Sequence, residues 1–276
     1  MQAVNVLIIM LISFSLTRLM VPAFMGMFRE AGFVRPNYRL EEIPLGMGLV
    51  FLPAAMLTLT LLQWWEKAAG GDVYVYLFAL TAMGFFGLVD DVFGSRKASG
   101  LKGHFKKLLF ERELTTGGLK ALAGGFIGIL AGLAVNGTGR LELVFLDGLI
   151  IALSANALNL LDLRPGRAGK SFLLLAAVLL AAGYGAPQLV FMLVVAASVL
   201  AFLPYDLAAR LMMGDTGSNM LGVTIGITAA WVLDLPGKLV YLSFMVLFHL
   251  FTEKYSLTRV IEGNRVLNFF DMLGRK

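Results

Sequence analysis

Nine apolar stretches, most of them of bilayer-spanning length, leave this chain little option but to fold as a bundle of membrane helices. They run from about Val4 to Val21, Pro44 to Trp65, Val73 to Val89, Thr115 to Val135, Leu143 to Leu161, Phe172 to Gly185, Gln188 to Leu203, Asn219 to Leu233 and Leu239 to Thr252. Pro22 closes the first stretch and Pro204 the seventh, and the Trp64-Trp65 pair suits a membrane interface. The sixth is short enough to be tilted or partly interfacial. Glycines at 117, 118, 124, 125, 128 and 132 in the fourth allow close helix approach. Composition agrees. The chain is 58% hydrophobic and 15% charged, where a soluble domain carries about 25% charge. No repeat, low-complexity tract or soluble region interrupts the pattern, so residues 1–276 read as one all-α, polytopic transmembrane domain. The start, Met1-Gln2-Ala3-Val4-Asn5, lacks a basic leader and reads as a retained first helix.

Basic residues set the expected orientation. Of the 23 Lys and Arg, 18 fall in one alternating set of connections and three (Lys67, Arg140, Lys238) in the other. Arg18 and Lys120 lie near segment ends on the richer side. The bias and the count of nine agree on an outside N-terminus and a cytoplasmic C-terminus, in the cytoplasmic membrane. With the basic residues confined to short loops, the net charge of +5 is no sign of nucleic acid. It points to an anionic substrate or lipid face. The absence of Cys excludes thiolate chemistry, and two His argue against a His-rich metal site.

The polar clusters converge on that cytoplasmic side. Asp90 and Asp91 end the third segment, and two adjacent carboxylates at a membrane edge are costly unless they have a task. Asn156, Asn159 and Asp162 recur at i, i+3 and i+6, on one face of the fifth helix. Met213-Gly214-Asp215-Thr216-Gly217-Ser218-Asn219 precedes the eighth segment and offers close backbone approach and phosphate donors at a helix N-terminus. Lys97, Lys107 and Lys120 can balance phosphate charge. Each cluster alone has a structural explanation: a polar segment end, interhelical hydrogen bonds, a capped turn, or basic residues contacting membrane lipids. Their convergence on one leaflet favours a site for a divalent cation and a diphosphate, and disfavours a transporter, whose site lies near the bilayer midplane.

The ordered motifs resemble the polyprenyl-phosphate N-acetylhexosamine-1-phosphate transferases of cell-wall biogenesis. They are the Pro/Gly-rich Ile43-Pro44-Leu45-Gly46-Met47-Gly48, the Asp-Asp pair, Asn-x-x-Asn-x-x-Asp and Met-Gly-Asp-x-Gly-Ser. The resemblance covers nearly the whole chain. It implies a Mg²⁺-dependent glycosyl-1-phosphate transferase that moves a sugar-1-phosphate from a UDP-amino sugar to a polyprenyl phosphate, with UMP leaving. It also implies roles. Asp215 is the metal ligand. Asp90, Asp91, Asp162 and Lys120 are catalytic. Asn156, Asn159, Lys97, Lys107, Gly214, Thr216, Gly217 and Ser218 hold the metal-bound diphosphate or nucleotide. The family and the Gly-rich fourth segment are both compatible with a homodimer.

Three departures stand out. The family's Asp-Gly-x-Asp-Gly is Asp162-Leu163-Arg164-Pro165-Gly166 here, the Asn about ten residues before Gly-Asp-x-Gly-Ser is Tyr205, and the His-rich loop after segment nine is replaced by residues 253–276. The metal and lipid-phosphate machinery is expected to be kept and donor recognition altered, with Arg164 and Arg167 reading a different headgroup. The alternative is a non-catalytic relative that binds polyprenyl phosphate or a protein partner. Val266, Phe269, Phe270 and Leu273 share a face, which makes residues 263–276 a candidate interfacial tail.

Overall fold

The computed structural model describes residues 3–66, 70–94 and 115–275. Its main helices are α1 (Ala3–Glu30), α2 (Phe51–Glu66), α3 (Gly71–Phe93), α4 (Thr116–Asn136), α5 (Leu141–Leu161), α6 (Arg167–Ala182), α7 (Leu189–Leu207), α8 (Gly214–Val232) and α9 (Leu235–Lys254). Two short helices follow, α10 (Leu257–Gly263) and α11 (Arg265–Met272). Each of the nine apolar stretches has its helix. Among the described residues seven helices are long and apolar enough to cross a membrane, α2 together with the 3-10 turn that leads into it, as the span Met47–Trp65. The other two, α6 and α8, have separate reasons for falling outside that group. With 16 residues, α6 spans about 24 Å, less than a hydrocarbon core. The 19 residues of α8 include Thr216, Ser218, Asn219, Thr224 and Thr228, all buried.

That polarity is tolerated because α8 is the axis of the bundle. It packs against α3, α5, α6 and α7 and is shielded along nearly its whole length. Small residues set the spacing. A Cβ on Gly222 would lie 2.4 Å from the Ala155 Cα, and one on Gly226 2.6 Å from the Ile151 Cα, so α5 and α8 touch backbone to backbone. In the Gly-rich α4, Gly128 and Gly132 meet the α5 backbone at Gly148 and Val144, whereas Gly125 faces open space. On the far side α1 joins α7 through Ser13, whose hydroxyl donates to the Val194 carbonyl at 2.7 Å.

The helix ends differ from the sequence reading in several places. Neither internal proline stops its helix: α1 continues through Pro22 to Glu30 and α7 through Pro204 to Leu207. Beyond Pro22, burial of Met25 and Phe28 makes continued helix worthwhile. The second helix starts at Phe51, not Pro44, because the segment before it is a hairpin of β1 (Val34–Pro36) and β2 (Glu42–Pro44), register Arg35 to Ile43, followed by a 3-10 turn at Met47–Val50. The Gly-Asp-Thr-Gly-Ser motif is the first turn of α8 and not a loop before it.

Candidate active site

The hairpin and the 3-10 turn deliver the Pro44–Gly48 segment to the start of α8. Their backbones pair: Met212 N–H donates to the Pro44 carbonyl at 2.8 Å, Met47 N–H to Met212 at 3.0 Å and Gly48 N–H to Met213 at 2.9 Å. Gly48 and Gly217 lie so close that a Cβ on Gly48 would fall 2.1 Å from the Gly217 Cα. On the other side Gly87 of α3 rests on the Asp215 carbonyl, where a Cβ would come within 2.4 Å. The first turn of α8 is therefore gripped from two sides by glycine backbones.

This grip separates the two neighbouring aspartates. Asp91 points at the α8 N-terminus. Its Oδ1 accepts from the Asp215 N–H at 2.9 Å, and its Oδ2 accepts from the Thr216 N–H at 2.9 Å and the Thr216 hydroxyl at 2.6 Å. It is a capping carboxylate supplied by another helix, favoured by the free amides and the helix dipole. Gly214 makes room for it: φ is +73°, and a Cβ there would lie 2.6 Å from Asp91 Oδ2. Thr216→Val is expected to cost about 1.5–3 kcal/mol, the value of a hydrogen bond to a charged group, read as a lowered thermal midpoint in detergent.

Asp90 points elsewhere. Its Oδ2 lies 2.9 Å from the Lys120 ammonium of α4, which also contacts Asp215. Asn159 of α5 completes the group. With its amide oriented to donate to the carboxylate and accept from the ammonium, it lies 2.9 Å from Asp215 Oδ1 and 3.0 Å from Lys120 Nζ. The same amide meets the Ser218 hydroxyl at 2.8 Å. The structure thus joins Asp90, Lys120, Asn159, Asp215 and Ser218 from four helices, α3, α4, α5 and α8.

Beside this group opens a cavity of 190 Å³. Asp91, Asp162, Asp206 and Asp215 line it together with Gly214, and Tyr38 and Arg164 stand at its wall. Asp162 caps the C-terminus of α5. Desolvation and the nearby carboxylates of Asp206, Asp215 and Asp91 push its pKa well above the usual carboxylate range. Four acids in one cavity form a strongly cation-attracting surface. Among the described residues, however, no group of three or more Asp, Glu, His or Cys is disposed to hold a metal by itself.

Other residues singled out from sequence lie further away or inward. Asn156 is half-buried on α5 and is not part of the cavity lining. The Thr216 and Ser218 side chains are fully buried and Gly217 is packed on Gly48, so of the motif it is Met213, Gly214 and Asp215 that border the cavity. Lys97 and Lys107 lie outside the described residues. Of the two arginines expected to read a headgroup, Arg164 lines the cavity, whereas Arg167 is buried and committed to Asp271. Asp206, one residue past Tyr205, was not anticipated. It sits one position off the motif pattern, and only the fold turns it inward, where its Oδ2 accepts from the Gly166 N–H at 3.0 Å.

Comparison with known proteins gives the family. The model of glycosyl transferase family 4 matches residues 73–233, from α3 to the end of α8. The chain is 27% identical over 252 residues to a phospho-N-acetylmuramoyl-pentapeptide-transferase of Clostridium kluyveri, covering 82% of this chain and 75% of that protein. The enzyme of the same name from Clostridium novyi is 29% identical over 199 residues, 68% of this chain and 60% of its own length. The helices that carry Asp90, Lys120, Asn159 and Asp215 are thus the matched ones, and the chain belongs to glycosyl transferase family 4, as a divergent membrane-embedded glycosyl-1-phosphate transferase.

Proposed function

We propose that the protein transfers a sugar-1-phosphate from a UDP-amino sugar to a polyprenyl phosphate at the cytoplasmic face of the cell membrane, with Mg²⁺ as cofactor. The observation that carries this reading is Lys120 bridging Asp90 and Asp215 at the edge of an acid-lined cavity, at one end of a membrane bundle. The C. kluyveri and C. novyi relatives are named as transferases of a phosphorylated N-acetylmuramoyl unit, which agrees with an amino-sugar donor.

The donor set suits a hard cation. Mg²⁺ takes one or two protein carboxylates and fills its remaining positions with phosphate oxygens and water, so Asp215 and Asp162 suffice without a third acid. When bound, the ion neutralises the diphosphate oxygens as charge builds on them. The protein's own groups then do the rest. An oxygen of the lipid phosphate, already ionised at neutral pH, bonds to the sugar-linked phosphorus as the bond from that phosphorus to the UMP oxygen breaks. UMP departs with the bonding pair, and no strong base is needed. Lys120 holds phosphate charge between Asp90 and Asp215, and Asn159 fixes the Asp215 rotamer. Asp91 keeps the α8 terminus in place, and Arg164 and Tyr38 contact the donor at the cavity wall.

The test is purified protein in vesicles with Mg²⁺, undecaprenyl phosphate and a panel of UDP-amino sugars, assayed for UMP. Release with at least one donor, dependent on both the lipid and the metal, is expected. No nucleotide release from any donor would overturn the donor and acceptor assignment.

A further inference from the structure

We propose that α11 is an interfacial anchor which lies on the lipid surface and, through Asp271, holds the cavity-lining loop Asp162–Gly166 in position. The loop's role in turnover rests on the function proposed above; the anchoring itself does not.

Two faces of α11 carry opposite chemistry. Val266, Phe269, Phe270 and Leu273 occupy one face at i, i+3, i+4 and i+7, and each is more than half exposed. Asp271 is the one buried residue of the helix. An eight-residue helix showing two aromatic rings to water has no reason to stay folded there. What covers that face is lipid. The tail follows directly from α9, a helix apt to span the membrane, so it emerges at a membrane edge. Exposed Arg259 on α10 and Arg265 at the start of α11 supply charge complementary to anionic headgroups.

The buried face is a clamp. Arg167 at the start of α6 is 4% exposed and forks onto Asp271, Nε to Oδ1 at 2.8 Å and Nη2 to Oδ2 at 3.0 Å. Its third nitrogen, Nη1, reaches the Thr258 hydroxyl of α10 at 3.2 Å. Arg275 lies 3.1 Å from the same carboxylate and donates to the Pro165 carbonyl through Nη2 at 3.1 Å. Lys170 donates to the carbonyls of Phe270 and Leu273 at 2.9 and 3.2 Å, satisfying the open end of the helix. Although partial burial opposes ionisation, the two guanidinium groups hold Asp271 below the usual carboxylate range. The residues gripped, Pro165 to Lys170, continue directly from Asp162, Leu163 and Arg164 of the cavity wall, and Gly166 N–H is the donor to Asp206. Asp271 and Arg167 are therefore positioning residues: they touch no substrate, yet they fix the backbone that does.

The chain has no cysteine, so Phe269→Cys accepts a single environment-sensitive fluorophore. In phosphatidylglycerol–phosphatidylcholine vesicles the probe should show blue-shifted emission that brominated acyl chains quench. Hydrogen exchange of residues 161–170 in the same vesicles reads the coupling. F269S/F270S is expected to speed that exchange about 10-fold. D271N should do the same while the Phe269 probe stays in lipid, and D271E should restore slow exchange. Water-like emission on vesicles, or exchange in 161–170 unmoved by both F269S/F270S and D271N, would overturn the proposal. Neither readout needs turnover, so a failed donor panel with these results intact would sink the assigned reaction and leave the anchor standing.

Discussion

Asp215→Asn is expected to lower turnover by about 10²–10³-fold, the loss typical of removing one preorganised electrostatic group from a transition state, with little change in thermal stability. The two halves of this expectation have different structural origins. Asp215 contributes to the fold through its backbone: its N–H donates to Asp91 and its carbonyl meets Gly87 and accepts from the Asn219 amide. Asparagine keeps all of that. What it loses is the carboxylate facing Lys120 and the cavity, so the charge that would hold Mg²⁺ disappears while the helix remains. The measurement is UMP release against Mg²⁺ concentration, alongside the melting curve. A variant that melts early, or one that retains wild-type turnover, would contradict this division. Asp91→Asn should show the reverse emphasis, since its carboxylate is spent on the α8 amides.

Lys238→Met is expected to destabilise the bundle by about 3–5 kcal/mol, the cost of leaving a buried charge without its partner. Asp147 of α5 is completely buried. Its Oδ2 accepts from Lys238 of α9 and from the Asn136 amide of α4, both at 2.8 Å, while its Oδ1 has no partner among the described residues. One carboxylate therefore ties three helices together, and with the ammonium removed it faces a medium that cannot solvate it. The double replacement Asp147→Leu with Lys238→Met removes both charges and should recover most of the loss. Thermal unfolding in one detergent, across wild type, single and double variants, checks the cycle. Because Asp147 lies twelve positions before Asn159 on α5, about 18 Å away along the helix, turnover by the folded fraction should be unchanged.

Much of the site was legible because each motif carries its own local signature. Hydropathy marks where helices run, and acids or amides at their ends mark which end is polar. Asp90, Asn159, Asp162, Lys120 and Asp215 could all be placed on one end of the bundle in this way. The division of labour within Asp90-Asp91 could not. Successive helical residues point about 100° apart, so which one meets Lys120 and which caps α8 depends on where α4 and α8 pack. Asp206 was overlooked because a carboxylate beside a segment end looks like any polar boundary until the fold encloses it. Arg167 was misjudged for the complementary reason: its neighbours in sequence line the cavity, but its partner, Asp271, lies 104 residues away.

The sequence by itself determined that the chain is a membrane helix bundle with its polar chemistry gathered at one end, because apolar length and charge placement are local quantities read one segment at a time. Only the tertiary structure decided that α8, a long helix outside the group apolar enough to cross a membrane, is the axis, that glycines 48, 87 and 214 bring backbones and a capping carboxylate onto its first turn, and that the tail grips the cavity loop. Those outcomes depend on which helices touch, and close approach, burial and ion pairing between distant segments have no counterpart in the pattern of any one of them.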